Sequence, residues 1–175
     1  MRHLRVLGLL LVIAVAGYTA GASGGPGGRS SKAPAGGPAS AGRVLRVVDG
    51  DTIQVQVGGQ AEKVRYIGVD TPESVKPGTP VQCYAKRASA FNERLIEGRR
   101  VRLVLDAEHR DRYGRLLAYV YRRSDGLFVN AALVRGGYAH VLTIPPDVAH
   151  AGEFHRLAAA ARRAGRGLWS DCPAS

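Results

Sequence analysis

The order of sequence elements predicts an α+β fold: a five-stranded Greek-key β-barrel of the OB type with three α-helices packed beside it. Three observations lead there. Five short apolar or alternating stretches lie between residues 44 and 121, one helical pattern falls between the third and fourth, and two more follow the fifth. A ferredoxin-like α+β sandwich is the rival, but its first helix belongs between the first two strands, where only Asp49-Gly50 stands.

Residues 44–48 form an apolar-rich strand that closes at Asp49-Gly50. Thr52–Val57 alternates with period two and stops at Gly58-Gly59, a turn signal. Residues 64–69 follow as its hairpin partner, and residues 101–105 and 116–121 supply the fourth and fifth strands. Between the third and fourth, Ala85, Ala88, Phe91 and Leu95 recur at helical spacing until Gly98 stops the run. A second helix is predicted over Val129–Arg135, and a third over residues 150–164 with Phe154, Leu157, Ala158 and Ala161 on one face. Gly165 and Gly167 end it, and Trp169 is expected to plug the core.

The flanks have a different character. Residues 1–22 read as a secretory leader: Arg2 and Arg5 give a positive start, residues 6–16 a short apolar run, and Ala20-Gly21-Ala22 the small residues a signal peptidase accepts. The run falls short of the about 20 residues that span a bilayer, so cleavage is expected over retention as an anchor. The protein is accordingly expected to be secreted or otherwise extracytoplasmic. Residues 23–42 are nearly all Gly, Ser, Ala or Pro, which cannot offset ordering entropy by burial, and read as a flexible linker. The folded domain is expected over residues 43–172, with a tail at 173–175.

With 175 residues, 45% hydrophobic and 22% charged, the chain fits one domain plus accessory segments, not a collagen-like, disulfide-dense or wholly disordered class. Its net charge of +11, or +9 once Arg2 and Arg5 are removed (11 − 2), points to a polyanionic partner, a merely soluble basic surface being the bland alternative. Cys83 and Cys172 match no zinc spacing. In an exported chain such a pair reads as a disulfide stapling the C-terminal end to the start of the first helix, two separate buried thiols being the alternative.

The acids are scarce, and five of the fourteen fall between residues 49 and 73: Asp49, Asp51, Glu62, Asp70 and Glu73. A hairpin turn at Gly58-Gly59-Gln60 sets Asp51 opposite residues near 68, which brings Asp70 close. Two adjacent carboxylates repel unless a cation lies between them. With no His or Cys near, Ca²⁺ or Mg²⁺ is favoured over zinc. Arg65 and Arg115 can grip a phosphate bidentately and stabilise charge on a pentacoordinate phosphorus. Glu73 completes a set suited to phosphodiester hydrolysis.

Val48-Asp49-Gly50-Asp51-Thr52, then Arg65 through Val69-Asp70-Thr71-Pro72-Glu73, then Asp111-Arg112-Tyr113-Gly114-Arg115 resemble the signature blocks of the staphylococcal nuclease family. Val129-Asn130, residues 133–139 and Gly167-Leu168-Trp169 are similar to its later blocks, so the resemblance covers residues 43–172. It implies an OB-fold and Ca²⁺-dependent hydrolysis of DNA and RNA, single-stranded DNA included, that breaks the bond to the 5′ oxygen and leaves 3′-phosphate ends. Residue by residue it implies Asp51, Asp70 and the Thr71 carbonyl as calcium ligands, Glu73 as holder of the attacking water, Arg65 and Arg115 on the scissile phosphate, and Arg112 and Tyr113 against the nucleotide. The chain departs from the family's best-known pattern at Thr143, where a nucleotide-holding tyrosine is usual, and at Arg112, which replaces a lysine.

Other residues read as structural. Asp49 is expected to cap its turn. His109, His140, His150 and His155 have no metal-ligand spacing, and Arg99-Arg100 and Arg122-Arg123 read as exposed faces that add to polyanion attraction. A non-catalytic OB module that binds single-stranded nucleic acid is the competing function, and the carboxylates argue against it. A monomer without a stable protein partner is expected.

Overall fold

A computed structural model describes residues 39–74, 78 and 80–172. The predicted leader, the linker up to residue 38 and the tail 173–175 lie outside them. The chain runs β1 (Ala39–Asp49), β2 (Thr52–Val57), β3 (Gln60–Tyr66), β4 (Val69–Asp70), α1 (Ala85–Ile96), β5 (Arg100–Val104), β6 (Leu116–Arg122), α2 (Val129–Arg135), β7 (His140–Val141), α3 (Ala151–Arg163) and α4 (Leu168–Asp171).

Five strands close a barrel, as the sequence predicts, and their order is β1-β2-β3-β6-β5, while β4 and β7 pair separately. All barrel pairings are antiparallel except β3 with β6. β1 closes the barrel because it is long and irregular: residues 39–43 pair with β5, and from Arg43 onward it pairs with β2 through two register shifts. The strand thus takes in Ala39 to Gly42, the last four residues of the stretch expected to be linker, since β5 satisfies their backbone groups. Gly42 suits this bend, because a Cβ there would strike Val55 and lie 2.8 Å from the Gln56 carbonyl.

The β2–β3 hairpin turns on Gly58 and Gly59 alone, with φ of +57° and +86°. Gln60 already belongs to β3, so Asp51 faces Tyr66, whose N–H donates to the Asp51 carbonyl at 3.0 Å, and not residue 68. The expected third strand also splits. Gly68 at φ +80° turns the chain under the Phe154 ring, where a side chain would clash, and Val69–Asp70 leaves the barrel to pair with Val141 and His140.

The core fills the barrel with Val44, Ile53, Val55, Val64, Tyr66, Val101, Leu103 and Val120, and α2 is buried along nearly its whole length. Buried Asn130 on α2 accepts from Val120 N–H at 2.9 Å and donates to the Ile67 carbonyl at 2.9 Å, fixing the end of β3. A fourth helix, α4, follows the three predicted ones. Within it Leu168, 5% exposed, enters the core in place of Trp169. Trp169 is half-buried between the His140 edge and Arg162. Cys83 and Cys172 form the disulfide, with Cα atoms 5.8 Å apart across 89 residues, tying the approach to α1 to the end of α4. A loop this long contributes up to about 4 to 5 kcal/mol by chain entropy.

Candidate functional site

Three strand ends bring the predicted residues together. Asp51 sits in the β1–β2 turn, Arg65 near the end of β3 and Asp70 on β4. One guanidinium nitrogen serves both carboxylates: Arg65 Nη2 donates to Asp70 Oδ1 at 2.8 Å and lies 3.2 Å from Asp51 Oδ2. Nη1 donates to the Tyr66 and Val69 carbonyls at 2.9 and 2.7 Å. Asp51 is 5% exposed, and its Oδ2 also accepts from the Thr71 N–H and hydroxyl at 2.8 and 3.0 Å. Burial pushes the Asp51 carboxyl above its ordinary value, against the opposing pull of Arg65 and Thr71.

Glu73 is half-buried two residues beyond Thr71. Its N–H donates to Gln82 Oε1 at 2.8 Å and its carbonyl accepts from Gln82 N–H at 3.0 Å, a two-point clamp one residue from the disulfide. Asp49 caps its turn as expected: Oδ1 accepts from Gly50 N–H at 2.7 Å and from the Ser74 and Ser89 hydroxyls. Glu62 does not join the acid cluster. It sits near the hairpin end of β3 and makes a paired contact with Arg110, both bonds 2.9 Å, which holds its carboxyl below the ordinary value.

Residues 111–115 form a tight loop. Asp111 Oδ1 accepts from the N–H groups of Tyr113 and Arg115, and Oδ2 from Arg115 Nε at 2.7 Å. Tyr113 is 69% exposed, which excludes a core role, and both Arg112 and Arg115 lie over its ring. A cleft of about 680 Å³ unites Arg65, Arg115, Arg112 and Tyr113, with Leu142 and Ile144 on its other wall. Thr143 lies between those two residues, its hydroxyl 3.3 Å from His155.

Sequence reasoning missed Asp111 and Gln82 as supports. An Asp followed by an Arg four residues on, across a Gly, carries the Asx-turn signal for Asp111. Nothing in sequence spacing points from Gln82 to Glu73. Among the described residues no group of three or more His, Cys, Asp and Glu side chains converges on one point. The oxygens that do meet fit a hard cation: two carboxylates share one positive partner, and the buried one, Asp51, also has Thr71 against it. His140 stands opposite Asp70 in the β4–β7 pair, but its ring packs edge-on against Trp169.

The family profile described as Staphylococcal nuclease homologue matches residues 63–171. The chain is 52% identical over 104 residues to the Thermonuclease of Staphylococcus intermedius, covering 59% of this chain and 61% of that protein. It is 40% identical over 129 residues to the Thermonuclease of Staphylococcus hyicus, 74% of this chain and 75% of that one. To Endonuclease YncB of Bacillus subtilis it is 39% identical over 127 residues, 71% of this chain and 59% of the relative.

Proposed function

This chain belongs to the staphylococcal nuclease homologue family, and from that membership we propose that it is a hydrolase of the thermonuclease type, an endonuclease cutting phosphodiester bonds of DNA and RNA with Ca²⁺ as its cation. The observation that carries this reading is the meeting of Asp51 and Asp70 at one nitrogen of Arg65, beside a cleft that Arg115 also lines.

Each residue then has a task. Asp51 and Asp70, with Thr71 beside them, would hold the cation, which when bound offsets phosphate charge and makes water more acidic. Arg115 is tied to the protein only through Nε among its side-chain nitrogens, within the described residues, so both terminal nitrogens can meet phosphate oxygens. Arg65 orients the two carboxylates and adds positive charge at the phosphate. Tyr113 offers an exposed ring to a nucleotide, flanked by Arg112. Glu73, clamped by Gln82, accepts a proton from the attacking water as its oxygen bonds to phosphorus. The bond to the 5′ oxygen breaks, that oxygen takes up a proton, and a 3′-phosphate end remains. The protein acts as an exported monomer.

Purified protein incubated with single-stranded DNA should cleave it with Ca²⁺ and not with chelator. The Asp51→Asn, Asp70→Asn double variant should lose about 10³-fold or more in rate, since a Lewis acid is worth several kcal/mol. Binding without cleavage under every divalent ion would make the chain a nucleic-acid-binding module instead. Mass spectrometry of the exported protein tests cleavage after Ala22.

A further inference from the structure

A second recess of about 290 Å³ lies at the other end of the barrel strands, lined by Ala41, Gly42, Arg43, Gln56, Arg100 and Arg123. On β2, Gln56 stands four residues from Thr52, the partner of Arg65, so this recess is about 13 Å along the strand from the predicted centre. Arg43 and Arg100 are directly opposed across the β1–β5 pair, which puts their side chains on the same face. Like charges so placed are destabilising. Arg123 joins them through its N–H, which donates to the Arg100 carbonyl at 2.9 Å.

Three other arginines on these strands are partnered. Arg46 bonds Gln54, Arg102 lies over the Tyr121 ring and Arg122 pairs with Asp125. Among the described residues, Arg43, Arg100 and Arg123 pair with no carboxylate, and the sequence before Asp49 contains no acid to supply one. Three permanent charges converging without a counter-charge make an anion site.

We propose that Arg43, Arg100 and Arg123 form a second anion-binding site that takes the phosphodiester backbone of a nucleic-acid strand extending beyond the reacting phosphate. The strand's identity rests on the hydrolase reading above, while the anion site rests on its own geometry. Gln56 at the rim adds a neutral amide to the three cations. Only a strand long enough to cover about 13 Å of barrel wall reaches both sites, so the second site discriminates by length and leaves the chemistry alone.

The test compares the full chain with an Arg43→Ala, Arg100→Ala, Arg123→Ala variant and a charge-matched control, Arg135→Ala, Arg156→Ala, Arg163→Ala. Against long single-stranded DNA the first variant should raise KM about 10-fold with kcat unchanged, and kcat/KM on a dinucleotide should not move. Fluorescence anisotropy with the same DNA in chelator should give a slope of log affinity against log salt shallower by about 2, from three lost phosphate contacts. The control should change that slope by less than half as much. An unchanged slope, or equal changes in both variants, would overturn the site. So would a variant that keeps its DNA affinity but loses binding to anionic phosphatidylglycerol vesicles. The binding arm separates the two proposals: a wild type that cleaves nothing, with DNA affinity still lost in the first variant, defeats the hydrolase reading and upholds the site.

Discussion

The two arginines of the cleft are held in opposite ways. Arg65 is gripped by tertiary structure: its terminal nitrogens donate to two carbonyls of the β3–β4 turn and to Asp70, and lie against Asp51 from the β1–β2 turn. Arg115 is held by its own loop, through Nε to Asp111, and its side chain is 30% exposed against 13% for Arg65. A guanidinium whose terminal hydrogens are engaged on the protein organises the groups around it. One tied at Nε presents a fork to an incoming anion. The same residue type therefore serves mainly as framework in one place and mainly as a presented donor in the other.

Arg65→Ala is the largest way to break that contrast. It strips the buried Asp51 of its cation, and breaking a buried ion pair costs about 3 to 5 kcal/mol. Urea denaturation should register that loss alongside reduced cleavage, and a variant as stable as the wild type would put Arg65 in the same class as Arg115. Arg115→Ala should do the reverse. Its stability should stay within about 1 kcal/mol, because a partly exposed ion pair within one loop contributes little, while kcat falls about 10²-fold or more, the worth of one charge-stabilising donor. Unchanged turnover would remove Arg115 from the mechanism.

The barrel was legible because its strands are short, separated by Gly signals, and alternate where one face meets solvent, as in Thr52–Val57. What escaped depended on the chain's bends. Gly68 reads equally well inside a strand or as a break, and only the Phe154 ring packed over it decides for a break. Residues 39–42 carry linker composition and become strand because β5 offers them backbone partners, a tertiary effect no local propensity encodes. At the site, Asp51, Asp70 and Arg65 were expected together and are, although the register differs: the hairpin delivers Tyr66 opposite Asp51, and the turn at Gly68 brings Asp70 the rest of the way. Glu62 was grouped with these acids by proximity in sequence, yet a strand carries its two ends apart, and Glu62 sits at the wrong one. The Gln82 clamp on Glu73 was invisible because it ties the Glu73 backbone to the amide side chain and N–H of a residue nine positions on, across a sequence without periodicity.

The smallest effect belongs to Asp111, the support of the presented arginine. Burial raises its carboxyl, but hydrogen bonds from the Arg115 side chain and from the backbone of Arg115 and Tyr113 outweigh that, and it titrates below its ordinary value of 3.8. A carboxylate lowered in the folded state contributes stability above its unfolded value and gives it up as pH falls through the lower folded one. The loop therefore stays locked at neutral and mildly acidic pH and loosens only below about pH 4. Asp111→Asn keeps an oxygen to accept the Tyr113 and Arg115 N–H groups but removes the charge opposite Nε. It should lower kcat about 10-fold, the worth of one charged hydrogen bond, with little change in KM. It should also remove the part of the stability loss below pH 4 that this carboxyl contributes, which a urea series across acidic pH would measure. Unchanged kcat, alongside a large loss in Arg115→Ala, would show that the Tyr113 ring beneath the guanidinium is enough to aim it.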